Sequence, residues 1–265
     1  AEVKMLTGRR GADIVVDHVG GATFEKSVAA CAKGGRIVVC GATSGHEPKL
    51  NLRHVFWRQL SVLGSTMASK ASLFPLLALI AAGLLLVLTV WLTGGLHLDG
   101  LADTADGLGG GQTPEARLAI MKDSRVGAFG VLSLVAALLL KFAFFLSLAG
   151  PAPVLILYPA VSRWSMVLLA YLSPYARPEG GLGQAMTAGV SGQVLAGATV
   201  GAVVLAQGTL GLPGLILLAG AGLGVWLLSL YFRRRLGGVT GDVLGAANEV
   251  VEVLVLAGAT SRRGP

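Results

Sequence analysis

Three carboxylates and a histidine stand in one short run, Gly94-Gly95-Leu96-His97-Leu98-Asp99-Gly100-Leu101-Ala102-Asp103-Thr104-Ala105-Asp106-Gly107. Asp99, Asp103 and Asp106 are four and three residues apart, so on a helix they share one face. Like charges crowded in this way repel unless a cation sits between them. A hard divalent ion bridging to phosphate oxygens suits such oxygen donors. The plainer alternative is an acidic interhelix loop, which the apolar flanks make hard to justify.

Two further clusters extend the same chemistry. In Arg117-Leu118-Ala119-Ile120-Met121-Lys122-Asp123-Ser124-Arg125, Lys122 and Arg125 are three apart and can address one anionic group. The arginine offers a planar fork and the lysine a mobile point charge; the alternative is a basic flank of a membrane span. In Gly237-Gly238-Val239-Thr240-Gly241-Asp242 through Glu249, the glycines permit close backbone approach. Asp242 and Glu249 lie seven apart, two helical turns along one side, and Glu252 extends that face as a support residue. Acids for metal and bases for phosphate together fit phosphoryl or phosphoalkyl transfer, where positioning and charge neutralisation do most of the catalysis. The sequence shows no Ser-His-Asp arrangement or zinc motif. Gly107 to Gly111 lacks the Lys and Ser or Thr that a P-loop needs.

The elements that must position these groups are apolar. Hydrophobic residues make up 54% of the 265 and charged residues 13%, with mean hydropathy +0.73. From residue 71 onward there are 11 basic and nine acidic residues, too few for an ordinary soluble surface. Phe74–Thr93 is uncharged and long enough to cross a bilayer, and further spans are expected near 128–148, 153–172, 190–207, 211–232 and 243–258. The last is the weakest, because Glu249 and Glu252 lie inside it. The runs are too long and too uniform for strands of a membrane barrel. The expected fold is an all-α polytopic membrane protein of about five or six spans, residues 71–265, behind a truncated α/β Rossmann-like fragment, residues 1–70.

Charge distribution orients the spans. The connections 149–152 and 208–210 are short and uncharged, whereas 94–127, 173–189 and 233–242 hold nearly all the charge, Arg177 and Arg233-Arg234-Arg235 included. The positive-inside tendency puts the charged set in the cytoplasm. That orientation leaves residues 1–70, with net charge +5, outside. A lost preceding span or a re-entrant first segment reconciles the two. Within the spans, Lys141 is expected to snorkel, although it is far from one end. Arg163 should face protein, water or an anion, as a phosphate contact or in an ion pair. The pI near 9.8 does not mark a nucleic-acid binder, because its basic residues are neither clustered nor interleaved with aromatics.

Residues 1–70 read differently. Ala12–Asp17 is a short strand, Thr23–Ala32 has helical periodicity, and Arg36–Gly41 is the next buried strand. Leu50–Trp57 is expected as a short helix and Gln59–Leu63 as a strand, in parallel pairing. Cys31 and Cys40 are read as buried thiols. Ala1–Arg10 is polar and no apolar core follows, unlike a signal peptide.

Gly11–Gly20, Gly35–Gly41 and Leu60–Ser65 resemble the later half of the nucleotide-binding domain of medium-chain zinc-type alcohol dehydrogenases and quinone oxidoreductases. The segment lacks the GxGxxG turn, the ribose-binding acid and the zinc-bearing catalytic domain. No NAD binding is therefore expected, and a gene fusion, a truncation or an assembly artefact accounts for the piece better than a working second domain.

Residues 74–258 resemble the adenosylcobinamide-GDP ribazoletransferase family through four ordered motifs: Gly94–Gly107, Arg117–Gly130, Ser162-Arg163-Trp164 and Gly238–Glu249. The resemblance implies a late step of adenosylcobalamin biosynthesis. Adenosylcobinamide-GDP would be attacked by α-ribazole or its 5′-phosphate, with release of GMP and dependence on Mg2+. It implies Asp99, Asp103, Asp106 and Asp242 as metal ligands, and Lys122, Arg125 and Arg163 on phosphate oxygens. The 5′-hydroxyl, or the phosphate-bearing ribazole, is the expected nucleophile. Its proton acceptor is His97 or a carboxylate such as Asp123, and the sequence leaves His97 equally open to hydrogen-bonding a metal ligand or to a local structural role. The lipid bilayer is an expected partner, and a homo-oligomer is compatible with the reading. The competing readings are another membrane phospho-alcohol transferase and an ion-coupled transporter.

Overall fold

The computed structural model describes residues 2–66, 70–148, 153–177, 179–180 and 182–260. Two compact units divide at Pro75 and Leu76.

The first unit is a three-stranded parallel sheet in the order β1 (Ala12–Asp17), β2 (Cys31–Val39), β3 (Ser61–Gly64). Val15 pairs with Ile37, and Ile37 with Val62. Helix α1 (Glu2–Leu6) precedes the sheet, while α2 (Phe24–Ala30) and α3 (Leu52–Trp57) are the crossovers that parallel pairing requires. Phe24, Val28, Cys31, Ile37 and Leu60 form the core. The other face carries Ile14 and Val16, 59% and 64% exposed, which is the uncovered apolar surface expected of a sheet fragment. Strand β2 begins five residues before the expected start at Arg36. Cys31 is buried as expected, but Cys40 is exposed.

At the end of β1, the Asp17 carboxylate accepts hydrogen bonds from Val19 N and Gly20 N at 3.0 and 2.9 Å, Thr23 Oγ1 at 2.9 Å and Ser27 Oγ at 2.7 Å. These donors hold its pKa at about 2, against the pull of burial in the other direction.

The second unit is helical. Among the described residues, six helices are long and apolar enough to cross a membrane: α4 (Lys70–Thr93), α7 (Ala128–Ser147), α8 (Val154–Leu172), α10 (Gly192–Leu210), α11 (Leu212–Leu236) and α12 (Gly241–Thr260). The chain is a multi-pass membrane protein. At ~1.5 Å rise per residue, even the 19-residue α8 and α10 reach close to the ~30 Å hydrocarbon layer. Residues 208–210, expected as a connection, form the last turn of α10, so Gly211 alone separates α10 from α11. The connection 149–152 lies outside the described residues.

Helix α12 is the core of this unit and packs on α5 (Leu96–Gly110), α7, α8 and α11. Val243, Leu244, Val251, Val255 and Leu256 are buried in it. Helix α4, by contrast, leaves Phe74, Leu76, Leu84 and Val87 exposed, as a lipid-facing span should. The short helices α6 (Pro114–Ile120) and α9 (Leu182–Ala188) lie in the charged connections.

Candidate functional site

Two left-handed glycines, Gly94 and Gly95 at φ 59° and 72°, end α4 and start α5, which puts the acidic run on a helix and not in a loop. Gly100 then lets α5 approach α12 closely. A Cβ there would lie 2.6 Å from the Asp242 carbonyl oxygen. Asp242 sits in the first turn of α12, where the helix dipole favours a carboxylate. One backbone contact thus brings the first and third sequence clusters together.

Asp103 records the result. Burial raises its pKa to about 6, with Asp99, Asp242 and Asp106 adding repulsion and Arg177 opposing them. Asp242 is partly neutralised: Arg177 Nη2 donates to its Oδ2 at 2.8 Å, and Thr240 Oγ1 donates to the same oxygen at 3.3 Å. Asp106 has a different occupation. Gly127 N donates to it at 2.6 Å and Gly130 N at 2.8 Å, so its carboxylate satisfies the free amides that open α7. This sets it apart from Asp99 and Asp103, although all three share α5.

No group of three or more His, Cys, Asp or Glu side chains is arranged to hold a metal ion among the described residues. The fit to Mg2+ is therefore one of donor type and charge: hard oxygens, with Asp103 under repulsion that a divalent cation would relieve.

The basic candidates fall in separate places. Lys122 Nζ pairs with Glu179 Oε2 at 3.2 Å, both side chains exposed. Lys122 and Arg177 line one cleft of about 260 Å³ with Glu115 and Glu179. Arg125 is also exposed and pairs with Asp123, Nη2 to Oδ2 at 2.7 Å. That pairing holds Asp123 at a pKa of about 2, a poor proton acceptor near neutrality. His97, near the start of α5, has its Nδ1 buried without a hydrogen-bond partner among the described residues. Burial and the nearby Arg163 and Lys141 lower its pKa, while Glu252 opposes them, so the ring is held in its neutral, proton-accepting form.

Inside the bundle, Lys141 is buried rather than snorkelling. Its Nζ pairs with Glu249 Oε2 at 2.5 Å and Glu252 Oε2 at 2.6 Å. Arg163 joins this network through Glu252 and Ser162. Asn248 Nδ2 donates to Glu252 Oε1 at 3.1 Å, so Glu252 is the supporting hub. Arg163 thus makes the ion pair that was one of its two expected contacts. Glu249 is likewise held by Lys141 and not by the acidic cluster at Asp242.

Sequence reasoning passed over Arg177 as one more loop charge. It reaches Asp242 because Tyr175 forms a parallel bridge with Val239, with Ala176 N donating to Val239 O at 2.9 Å. A charged connection facing an acidic helix start was the available signal.

Six apolar helices with carboxylates gathered at helix ends define a multi-pass membrane protein with an acidic polar site. The model of the cobalamin-5-phosphate synthase family matches residues 60–260, and the chain belongs to that family. It is 50% identical over 187 residues to the adenosylcobinamide-GDP ribazoletransferase of Syntrophobacter fumaroxidans, covering 69% of this chain and 74% of that protein. Proteins of the same name from Desulforamulus reducens and Desulfitobacterium hafniense are 45% and 43% identical, over 64% and 68% of this chain and 69% and 74% of theirs. The chain is an enzyme of this kind by family.

The zinc-binding dehydrogenase model matches residues 1–82. A solved NAD-dependent alcohol dehydrogenase is 58% identical over 30% of this chain and 23% of its own, with a TM-score of 0.27. A putative alcohol dehydrogenase from Sinorhizobium meliloti is 34% identical over 28% and 20%, with a TM-score of 0.25. The chain spans under a quarter of either dehydrogenase.

Proposed function

We propose that residues 71–265 transfer the adenosylcobinamide phosphate moiety of adenosylcobinamide-GDP to α-ribazole or its 5′-phosphate, releasing GMP, with Mg2+ as cofactor. The observation that carries this reading is the crowding of Asp99, Asp103 and Asp242 beside Arg177. Such a set has the hard oxygens that Mg2+ would take, with a guanidinium beside them for an anionic substrate. When bound there, Mg2+ would neutralise charge on the pyrophosphate; Asp99, Asp103 and Asp242 are the residues to hold it.

The chain's own residues supply the rest. Lys122 and Arg177, on one cleft, steady phosphate oxygens and the departing GMP. Asp106 fixes the start of α7 against α5 instead of serving as a ligand. Neutral His97 is the better base, since Asp123 is tied to Arg125. An enzyme that accepts both ribazole forms must use a hydroxyl they share. The 5′ oxygen is esterified in one of them, so the nucleophile is a secondary ribose hydroxyl and not the 5′ one. Its oxygen bonds the corrinoid-linked phosphorus, the bond to GMP breaks, and the hydroxyl proton passes to His97.

The charged ends face the cytoplasm of a bacterial inner membrane, and residues 1–70 take no part in the chemistry. The buried Lys141–Glu249–Glu252–Arg163 network favours one second reading, ion-coupled transport. Transferase activity persists in detergent, whereas transport requires sealed vesicles. GMP release by detergent-solubilised protein with both substrates therefore separates the two.

A further inference from the structure

A cavity of about 260 Å³ lies within the helical unit, walled by Leu88 and Leu92 of α4, Leu155 and Tyr158 of α8, and the Arg163 and Glu249 side chains. Its volume is just below the ~300–1,000 Å³ of sites for drug-sized ligands, which suits one small molecule. Three properties restrict what that molecule is.

Its charges cancel. Lys141 and Arg163 face Glu249 and Glu252 in a closed network, so the cavity offers no net attraction to a phosphate. It is nevertheless not a lipid-tail slot. Arg163 Nη1 is spent on Ser162 and Glu252, while its other N–H groups have no partner among the described residues. Its side chain is 39% exposed. Glu249 Oε1 likewise accepts no hydrogen bond among the described residues. A hydrocarbon chain would leave these donors and this acceptor unsatisfied. The occupant is therefore neutral and largely apolar, with both an acceptor and a donor.

Position supplies the third restriction. Leu98 lines the cavity and its neighbour Asp99 belongs to the acidic cluster, so the first turn of α5 separates the two sites. Along α12, Asp242 and Glu249 are seven residues apart, about 10 Å at ~1.5 Å per residue. His97 lies between them, packed on Gly245. That spacing is roughly the length of a nucleoside.

Resting on the transferase reading above, we propose that this intramembrane cavity is the acceptor subsite, which takes the apolar heteroaromatic base of the acceptor riboside. The base lies between the α4 and α8 side chains, with Arg163 donating to its ring nitrogen. A ribose hydroxyl donates to Glu249, and the sugar points past His97 toward the carboxylates. Glu249 and Arg163 act as specificity residues, while phosphate chemistry stays at the other end of α5.

The test is equilibrium binding of α-ribazole to the full chain in detergent, without Mg2+ or the corrinoid substrate. Wild-type protein should bind saturably. Leu88→Trp and Leu92→Trp, which fill the cavity from a lipid-exposed helix, should weaken binding about tenfold or more. Leu84→Trp, exposed on the same helix but outside the cavity, should bind within about twofold of wild type. Asp103→Asn should also retain binding while losing transfer. Leu88→Phe, with elution profile and thermal unfolding recorded for each variant, provides a milder substitution should a tryptophan variant fail to fold. No saturable binding by wild type, or equal binding by well-folded Leu88 and Leu92 variants, overturns the proposal. Absence of GMP release with the binding pattern intact would count against the transferase reading alone.

Discussion

Gly100 of α5 touches the backbone of Asp242 in α12 so closely that a Cβ would stand 2.6 Å from the Asp242 carbonyl oxygen and 3.0 Å from its Cα. The spacing of the carboxylates across the two helices depends on this contact. Gly100→Ala forces the helices apart, an overpacking that costs about 1–3 kcal/mol. The expected result is a lower thermal midpoint with transfer reduced tenfold or more, a factor that corresponds to ~1.4 kcal/mol. Unchanged activity would show that the α5–α12 distance does not set the site.

Asp103 should couple metal binding to pH. Its pKa stands near 6, so below that pH a metal must displace a proton, and above it the carboxylate is already ionised. Apparent Mg2+ affinity, measured from activity titrations, should be flat above about pH 7 and fall as pH drops through 6. Asp103→Asn should nearly abolish transfer while leaving membrane insertion intact. Activity within about threefold of wild type would contradict the role given to Asp103, being well below the tenfold effect of ~1.4 kcal/mol.

Asp106 should behave as a structural residue. Removing the acceptor of two α7 amides costs roughly 1–3 kcal/mol. Asp106→Ala is therefore expected to lower the thermal midpoint while the Mg2+ concentration for half-maximal activity stays the same. A raised metal requirement with unchanged stability would reverse the assignment of Asp103 and Asp106.

These two aspartates show where the sequence stops being informative. The six apolar helices follow from length and lack of charge, and the acidic run announces itself against them. Spacing alone makes Asp99, Asp103 and Asp106 equivalent. Only the packing of α7 on α5 reveals that Asp106 is occupied by the amides of Gly127 and Gly130. Partners distant in the chain are similarly hidden. Lys141 meets Glu252 across 111 residues and Arg177 meets Asp242 across 65, through contacts no local pattern encodes. Strand β1 was legible to the residue, because the β-branched run Ile14-Val15-Val16 stands between Gly11 and Gly20.

In the first unit, Asp17 makes stability depend on acid. Its folded pKa of about 2 lies below the ordinary 3.8, so its contribution is fully present above about pH 4 and is lost as pH falls toward 2. Amide protection in Phe24–Ala30, corrected for intrinsic exchange, should decrease between pH 5 and pH 3 in wild type. Asp17→Asn should lower protection at pH 5 and remove most of this dependence. An identical pH profile in the variant would exclude Asp17 as the cause.

The central claim is tested most directly by GMP release from the purified full chain in detergent, supplied with adenosylcobinamide-GDP, α-ribazole and Mg2+. The account predicts GMP formed one for one with the ribazole-linked corrinoid, dependent on both substrates and on Mg2+, and lost in Asp103→Asn. A properly folded chain that forms no GMP, or forms it equally well in Asp103→Asn, would contradict the account.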